Sequence, residues 1–313
     1  SSSGGGGGSI RGNPGAGGLR AVMMGGSFIG SCAFFLGKLW PILVVLAPLG
    51  SMSAVLWTVF TCYAMWRSGP NIRDPRVIFP AISELGASMP EQRVYQVGFA
   101  VTGVLLALHV HLFSQIVLPQ LLELGNADMQ QHADNAVWYG YVAAAGVVAQ
   151  GVFTLEMQLS AQSCVHWAGA IMFMNGAMNH AQESKALYAA ALQFADHVPV
   201  LQSPWLTSTI AIRKFIVDYS SMFMFLPVVL AQMFFASQGS SPPPMPDIPA
   251  SATPAERAEI ERVAREMHAQ MPDPKTMNTM GAMQWAIIFQ FALYFCTYAV
   301  DLFLCQTAEL KRG

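Results

Sequence analysis

The chain has 313 residues, 53% of them hydrophobic and 11% charged. Soluble domains carry about 25% charged residues, and the mean hydropathy here is +0.41, so an ordinary cytosolic enzyme is excluded. Sixteen Lys and Arg against eighteen Asp and Glu give a net charge of -2, which is no basic field for nucleic acid. A polytopic membrane protein remains.

The first 18 residues, opening on Ser1–Ser3 and Gly4–Gly8, are low-complexity and read as disordered. They belong to a Gly-rich tail, 1–37, that includes a short apolar stretch at 21–37, closely followed by Lys38. That stretch is short and rich in Gly, and it reads as an interfacial or re-entrant piece, with a seventh span as the alternative. A spanning helix takes about 20 mostly apolar residues. Six runs meet that need: Trp40–Trp66, Val94–Leu118, Ala136–Met157, Val165–Ala181, Phe215–Ala236 and Gly281–Leu304. Period-two alternation is absent, which argues against a membrane barrel. The fold expected is all-α: a polytopic bundle of six transmembrane helices over 38–305, with a structured first loop and one amphipathic loop helix. Trp40, Trp66, Trp138 and Trp285 fall near span ends, as an aromatic belt would place them. Beyond Ala181 the helical pattern continues to Phe194, so the fourth helix is expected to protrude from the membrane.

The long loop, 238–279, begins with a Pro-rich spacer from Pro242 to Pro249. Thr253, Pro254 and Glu256 then read as cap, N1 and N3 of a helix. Ile260, Val263 and Met267 give it an apolar face, and it should end near Met271-Pro272. A tail, 306–313, closes the chain. Charge does not orient the bundle: with alternating loops, eight Lys or Arg fall on each side. Cys32, Cys62, Cys164, Cys296 and Cys305 form no CxxC pair and read as buried thiols. No metal motif, nucleotide motif or cofactor motif is present.

Between the first two spans lies a loop whose physics is legible. Pro80 and Pro90 fix φ and stiffen the crossing. Ser83 can cap a turn, Gly86 permits a positive φ, and Ser88 with Glu91 has the spacing of a capping box opening the second span. The pattern Pro80, Ile82, Ser83, Gly86, Pro90, Glu91 and Tyr95 resembles the first loop of the DRAM/Frag/Sfk family of six-span proteins. That family includes damage-regulated autophagy modulators, proteins that remodel GPI-anchor lipid after attachment, and plasma-membrane partners of a phosphatidylinositol kinase. Glu84 stands where Asp is common, and Tyr95 where Phe is. Further matches are Trp40-Pro41; Gly146, Gly151 and Phe153 ahead of His166, Gly169, Ala170 and Phe173; and Gln284-Trp285 with Asp301, where Glu-Trp is more usual. The resemblance implies a luminal or extracellular first loop and cytosolic termini.

Ionisable residues inside spans are functional candidates by default. Under the implied orientation Glu156 and His166 flank a short turn on the side of Ser83, Glu84 and Glu91, and Gln284 enters from the last span. These six are the candidates for binding a lipid or a partner. Such a set can pin the loop, recognise a head group, or do acid/base chemistry on a lipid ester. On the other side Lys214, Asp218, Asp301 and His111 form a second polar group, with Arg213 and Lys214 expected to snorkel to the interface. His109 and His111 are two apart and point to opposite sides of a helix, so they share no ion. The expected role is membrane-lipid homeostasis or trafficking, without an enzymatic step. It would be exerted by binding membrane lipids, another membrane protein or a lipid-kinase complex, in endomembranes (Golgi, ER or lysosome) or at the plasma membrane. Two alternatives stand beside it: a structural subunit joined through glycines such as Gly140, Gly146, Gly151, Gly169 and Gly176, and an intramembrane acyltransferase or hydrolase using Glu156 and His166.

Overall fold

A computed structural model describes residues 27–69, 76–123, 125, 127–156, 160–220, 222, 226–227, 229–230, 233, 252–270 and 274–312. The chain falls into two units, residues 1–41 and 42–313, and the second holds the bundle and its first loop. All regular structure among the described residues is helical. Helix α1 (Ser27–Ser68) leads to a one-turn α2 (Ile82–Leu85) within the first loop. Helix α3 (Glu91–Leu112) runs through a π-turn at Phe113–Val117 into α4 (Leu118–Leu121). Then come α5 (Ala127–Val152), α6 (Ala161–Ala191) and α7 (Pro204–Asp218). The chain closes with α8 (Pro254–Gln270), α9 (Pro274–Cys296) and α10 (Tyr298–Arg312).

Among the described residues, three helical stretches are long and apolar enough to cross a membrane: Val44–Ser68, Glu91–Leu121 and Pro274–Ala308. They correspond to the runs expected at 40–66, 94–118 and 281–304. Helices α5 and α6 cover the expected third and fourth runs with 26 and 31 residues. They are more polar, carrying Gln130, Asp134 and Asn135 on one and Asn175, Asn179 and Glu183 on the other. The run at 215–236 lies largely outside the described residues, as do 1–26 and the spacer 242–249. Helix α1 starts inside the 21–37 stretch, so residues 27–37 continue into the first span's helix.

In lipid there is no solvent-driven gain from pressing apolar helices together, so close backbone approach carries the packing. Helices α5 and α6 meet this way. A Cβ on Gly146 would lie 2.4 Å from the Phe173 nitrogen, and one on Gly176 2.5 Å from that of Ala143. These glycines are occupied within the chain, which removes them from the surface a partner subunit would use.

Several local expectations change. The third helix ends at Val152, five residues short of the expected Met157, so Glu156 sits on a non-helical segment and is exposed. Trp66 and Trp285 are buried, at 9% and 8% exposure, whereas Trp138 faces outward at 65%. Of these expected belt tryptophans, Trp285 is therefore a packing residue beneath the first loop, and Trp66 stacks on Tyr63 in the core. The Ser88–Glu91 capping box is not what opens α3. Pro90 is the N-cap, Glu91 is the first helical residue, and the Gln92 amide donates to the Ser88 carbonyl at 2.9 Å. The Thr253 box does form: the Thr253 amide donates to Glu256 Oε2 at 2.8 Å, and the Glu256 amide donates to Thr253 Oγ1 at 3.3 Å.

Candidate functional site

The first loop is a lid tied to the last span and to α1. Asn278, fully buried, holds it with every hydrogen-bonding position of its amide. Its Oδ1 accepts from the amides of Ile78 at 2.7 Å and Phe79 at 2.8 Å. Its Nδ2 donates to the carbonyls of Arg76 at 2.9 Å and Pro274 at 2.8 Å. One and two turns along α9, Gly281 and Trp285 continue the seat. Trp285 Nε1 donates to the Pro80 carbonyl at 3.0 Å, and a Cβ on Gly281 would lie 1.8 Å from the Phe79 oxygen. Gln284 Oε1 accepts from the Ile82 amide at 2.8 Å. From α1, Tyr63 donates to the Ile78 carbonyl at 3.1 Å. Irregular backbone at a membrane face needs such partners, because unpaired amides there are costly.

Motif residues of the loop find their reasons here. Ile82 and Leu85 are buried. Gly86 has φ of -101°, so a positive φ is not why glycine stands there. A Cβ at that position would lie 2.3 Å from Cγ of Tyr95, so the Tyr95 ring lying against the loop requires it. Tyr95 stacks on Phe99 with centroids 4.3 Å apart, and its hydroxyl accepts from Gln150 Nε2 at 3.2 Å. Glu84 Oε2 accepts from the Ala81 amide at 3.2 Å, capping α2. Burial pushes the Glu84 carboxyl above its ordinary range, and the bond from Ala81 opposes that rise.

Beneath the lid is a cavity of about 280 Å³ lined by Ile82, Ser83, Gln150, His166, Ala170, Phe173, Met174, Met283, Gln284, Ile287 and Ile288. His166 is 3% exposed. Its Nδ1 lies 2.9 Å from the Gln150 carbonyl and 2.8 Å from that of Phe153. Two carbonyl acceptors demand a hydrogen on Nδ1, which leaves Nε2 of the neutral ring as an acceptor. A smaller apolar cleft of about 40 Å³ shares Gln150, Phe173 and Ile288 with the cavity and reaches Met52, Val55, Phe99, Leu106 and Phe295. The arrangement is amphipathic: a hydroxyl, two amides and an imidazole at the lid, and hydrocarbon below. No Asp, Glu, Lys or Arg lines it among the described residues.

Of the six candidates, Ser83, His166 and Gln284 share the cavity. Glu84 serves the lid's own backbone. Glu91 is buried at the head of α3, and its carbonyl accepts from Cys62 at 3.7 Å. Glu156 lies outside the cavity lining, its amide donating to Ser163 Oγ at 3.2 Å. The Glu156–His166 pair is therefore not assembled, since backbone carbonyls hold the histidine nitrogen that a carboxylate would take. Sequence reasoning missed Asn278, Gln150 and Tyr63. A lone asparagine near the head of an apolar run was the available signal for the first.

At the other end of the bundle the second polar group is rearranged. Asp301 is fully buried, accepts from Tyr188 and from Thr209 at 3.3 Å, and pairs with Arg213 at 2.8 Å. Arg213 is 4% exposed and sandwiched by Tyr188 and Tyr298, 4.6 and 4.3 Å from the two centroids. It does not snorkel. A buried carboxylate needs a cation, and Arg213 supplies it. Lys214 bonds Asp218 at 2.5 Å, and Lys185 bonds the same carboxylate. His111 is exposed beside Tyr141, and His109 is buried against Phe295 and Tyr298.

Apolar helices long enough for a bilayer and a pinned lid over an amphipathic cavity define an integral membrane protein built around its lid. The model of the Frag1/DRAM/Sfk1/Cwh43P N-terminal domain matches residues 40–304. The chain belongs to that family. No curated protein and no solved structure matches it.

Proposed function

We propose that the protein supports membrane-lipid homeostasis or trafficking by holding the polar end of an uncharged lipid beneath its lid. The observation that carries this reading is the amphipathic cavity, in which Ser83, His166 and Gln284 meet an apolar cleft and no ionised side chain lines the wall among the described residues. An acceptor at His166 Nε2 and a hydroxyl at Ser83 suit a hydroxyl-bearing head group. A phosphate would meet neither a cation nor a ring of amide donors there. In this reading α5, α6 and the run at 215–236 complete six spans, and the lid faces the lumen or the exterior. The protein acts in endomembranes or at the plasma membrane. GPI-lipid remodelling, phosphoinositide-kinase scaffolding and autophagy modulation are the processes that membership of the family suggests.

The test is to identify the lipids that co-purify in mild detergent. Ala170→Phe fills the cavity without touching any lid hydrogen bond. The expected result is one uncharged lipid class enriched on the wild-type chain and lost from the variant at equal abundance. An identical lipid complement on both proteins would overturn the reading.

A further inference from the structure

A second cavity, of about 270 Å³, opens between the far end of α6, the middle of α7 and α9. Among its lining residues are Ser184, Lys185, Tyr188, Ile210, Arg213 and Lys214. Its chemistry is the opposite of the lid cavity's. Among the described residues three cations border it, against two carboxylates: Asp218 between the two lysines, and Asp301 behind Arg213. The tyrosines at 188, 294 and 298 carry no charge at neutral pH, so the cluster has one positive charge in excess.

That excess lies at the two lysines. Arg213 and Asp301 neutralise each other within the wall. Lys185 and Lys214 share one carboxylate, and their side chains are 33% and 64% exposed. An ammonium has three donors. One from each goes to Asp218, and two from each remain for an anion that bridges them. The apolar floor, with Ile210 and Leu192, suits the carbon skeleton to which such an anion is esterified.

The depth agrees. His166, in the lid cavity, and Lys185 lie nineteen residues apart on the same helix. At 1.5 Å per residue that is about 28 Å, close to the roughly 30 Å thickness of a hydrocarbon core. With the lid at one membrane surface, the lysines stand near the other. Cations there meet lipid phosphates.

We propose that Lys185 and Lys214, backed by the Arg213–Asp301 wall, bind the phosphate of an anionic lipid in the leaflet opposite the lid. The site is independent of the one under the lid.

The test uses the full chain in mild detergent, with thermal unfolding and native mass spectrometry as readouts. The probes are dioctanoyl phosphatidic acid, dioctanoyl phosphatidylcholine and inorganic phosphate. Dioctanoyl phosphatidic acid should bind saturably as one adduct and raise the unfolding temperature. Affinity should fall at least about tenfold in Lys185→Gln/Lys214→Gln, where two charge-assisted contacts are lost. It should survive in Lys185→Arg/Lys214→Arg and rise in Asp218→Asn. Tighter binding of phosphatidic acid than of inorganic phosphate marks the lipid as the source, whereas equal binding marks a free phosphate anion at the same lysines. Ala170→Phe should leave all of this unchanged, which separates it from the lid cavity. Equal affinity for phosphatidylcholine and phosphatidic acid, or an unaltered affinity in the doubly neutralised variant, would overturn the proposal.

Discussion

Replacing Asn278 by Ala should release the lid while leaving the bundle assembled. Three of the four bonds from that amide reach the lid: the Ile78 and Phe79 amides and the Arg76 carbonyl. A net hydrogen bond is worth about 1 kcal/mol, so their loss destabilises the closed lid by about 3 kcal/mol. Every 1.4 kcal/mol is a factor of ten, so the open population should rise about a hundredfold. Gln284, Trp285 and Tyr63 still hold Ile82, Pro80 and Ile78, so the lid opens transiently and does not detach. The assay is maleimide labelling of Ile287→Cys, in a chain whose own cysteines are replaced by alanine. Ile287 lines the cavity and is 8% exposed, so a reagent reaches it when the lid moves. A labelling rate within twofold of the Asn278 parent would refute the view that this amide is the clasp.

Asp301→Asn should be among the most damaging single changes, because it leaves Arg213 buried without its counter-charge. Breaking a buried pair costs about 3–5 kcal/mol, and detergent melts should show the variant less stable than the double change Arg213→Met/Asp301→Leu. Gly86→Ala should destabilise by about 1–3 kcal/mol through overpacking against Tyr95, and Tyr95→Ala in the same chain should recover part of the loss. Glu84 supplies the pH dependence. Its carboxyl is held above the ordinary 4.5, so its contribution to lid closure is fully present below that value and is lost as pH rises through the raised one. Labelling of Ile287→Cys should therefore quicken with pH across that interval, after correction for thiolate content, and Glu84→Gln should flatten the response. His166→Phe should weaken lipid co-purification with little change in abundance, since only the bonds to two carbonyls at one turn are lost; collapse of expression would instead make the histidine a purely structural pin.

The all-helical class, the first, second and last apolar spans and the α8 cap were legible because each rests on local pattern: apolar run length, or Thr253 and Glu256 three residues apart. The end of α5 was not, because apolar residues continue past Val152 while the helix stops. Trp66 and Trp285 misled for a related reason. Position near a span end is readable in sequence, but whether an indole faces lipid or a loop depends on what packs beside it. Three members of the predicted site came together because the loop motif and the last helix carry side chains of the right reach. The glutamates did not join them. Glu84 and Glu91 serve or support local structure, and Glu156 stands beyond its helix. Gln150 and Asn278 were invisible as site residues because a single neutral amide in an apolar run carries no pattern. The Gln150 amide's partner lies 55 residues away, and the loop partners of Asn278 lie 199 to 202 residues away.

The two ends of the bundle follow one electrostatic rule with opposite outcomes. At the lid, loop backbone amides and carbonyls are the polar groups that need partners, and neutral side chains supply most of them: Asn278, Gln284, Trp285 and Tyr63, with Glu84 and Arg67 adding one bond each outside the cavity wall. An ion on the cavity wall itself would lose hydration with no counter-charge to replace it. Gln284 illustrates this, since a carboxylate at that position would place an ion on the wall of an otherwise uncharged cavity. At the far end α6 and α7 present cations, and each buried one requires its own carboxylate. Arg213 has Asp301 to itself, while Lys185 and Lys214 must divide Asp218. A neutral chamber at one surface and an incompletely compensated basic one at the other give the bundle a polarity that apolar run lengths alone do not supply. Under the two proposals made above, hydroxyl-bearing lipid takes the neutral end and phosphate the basic one.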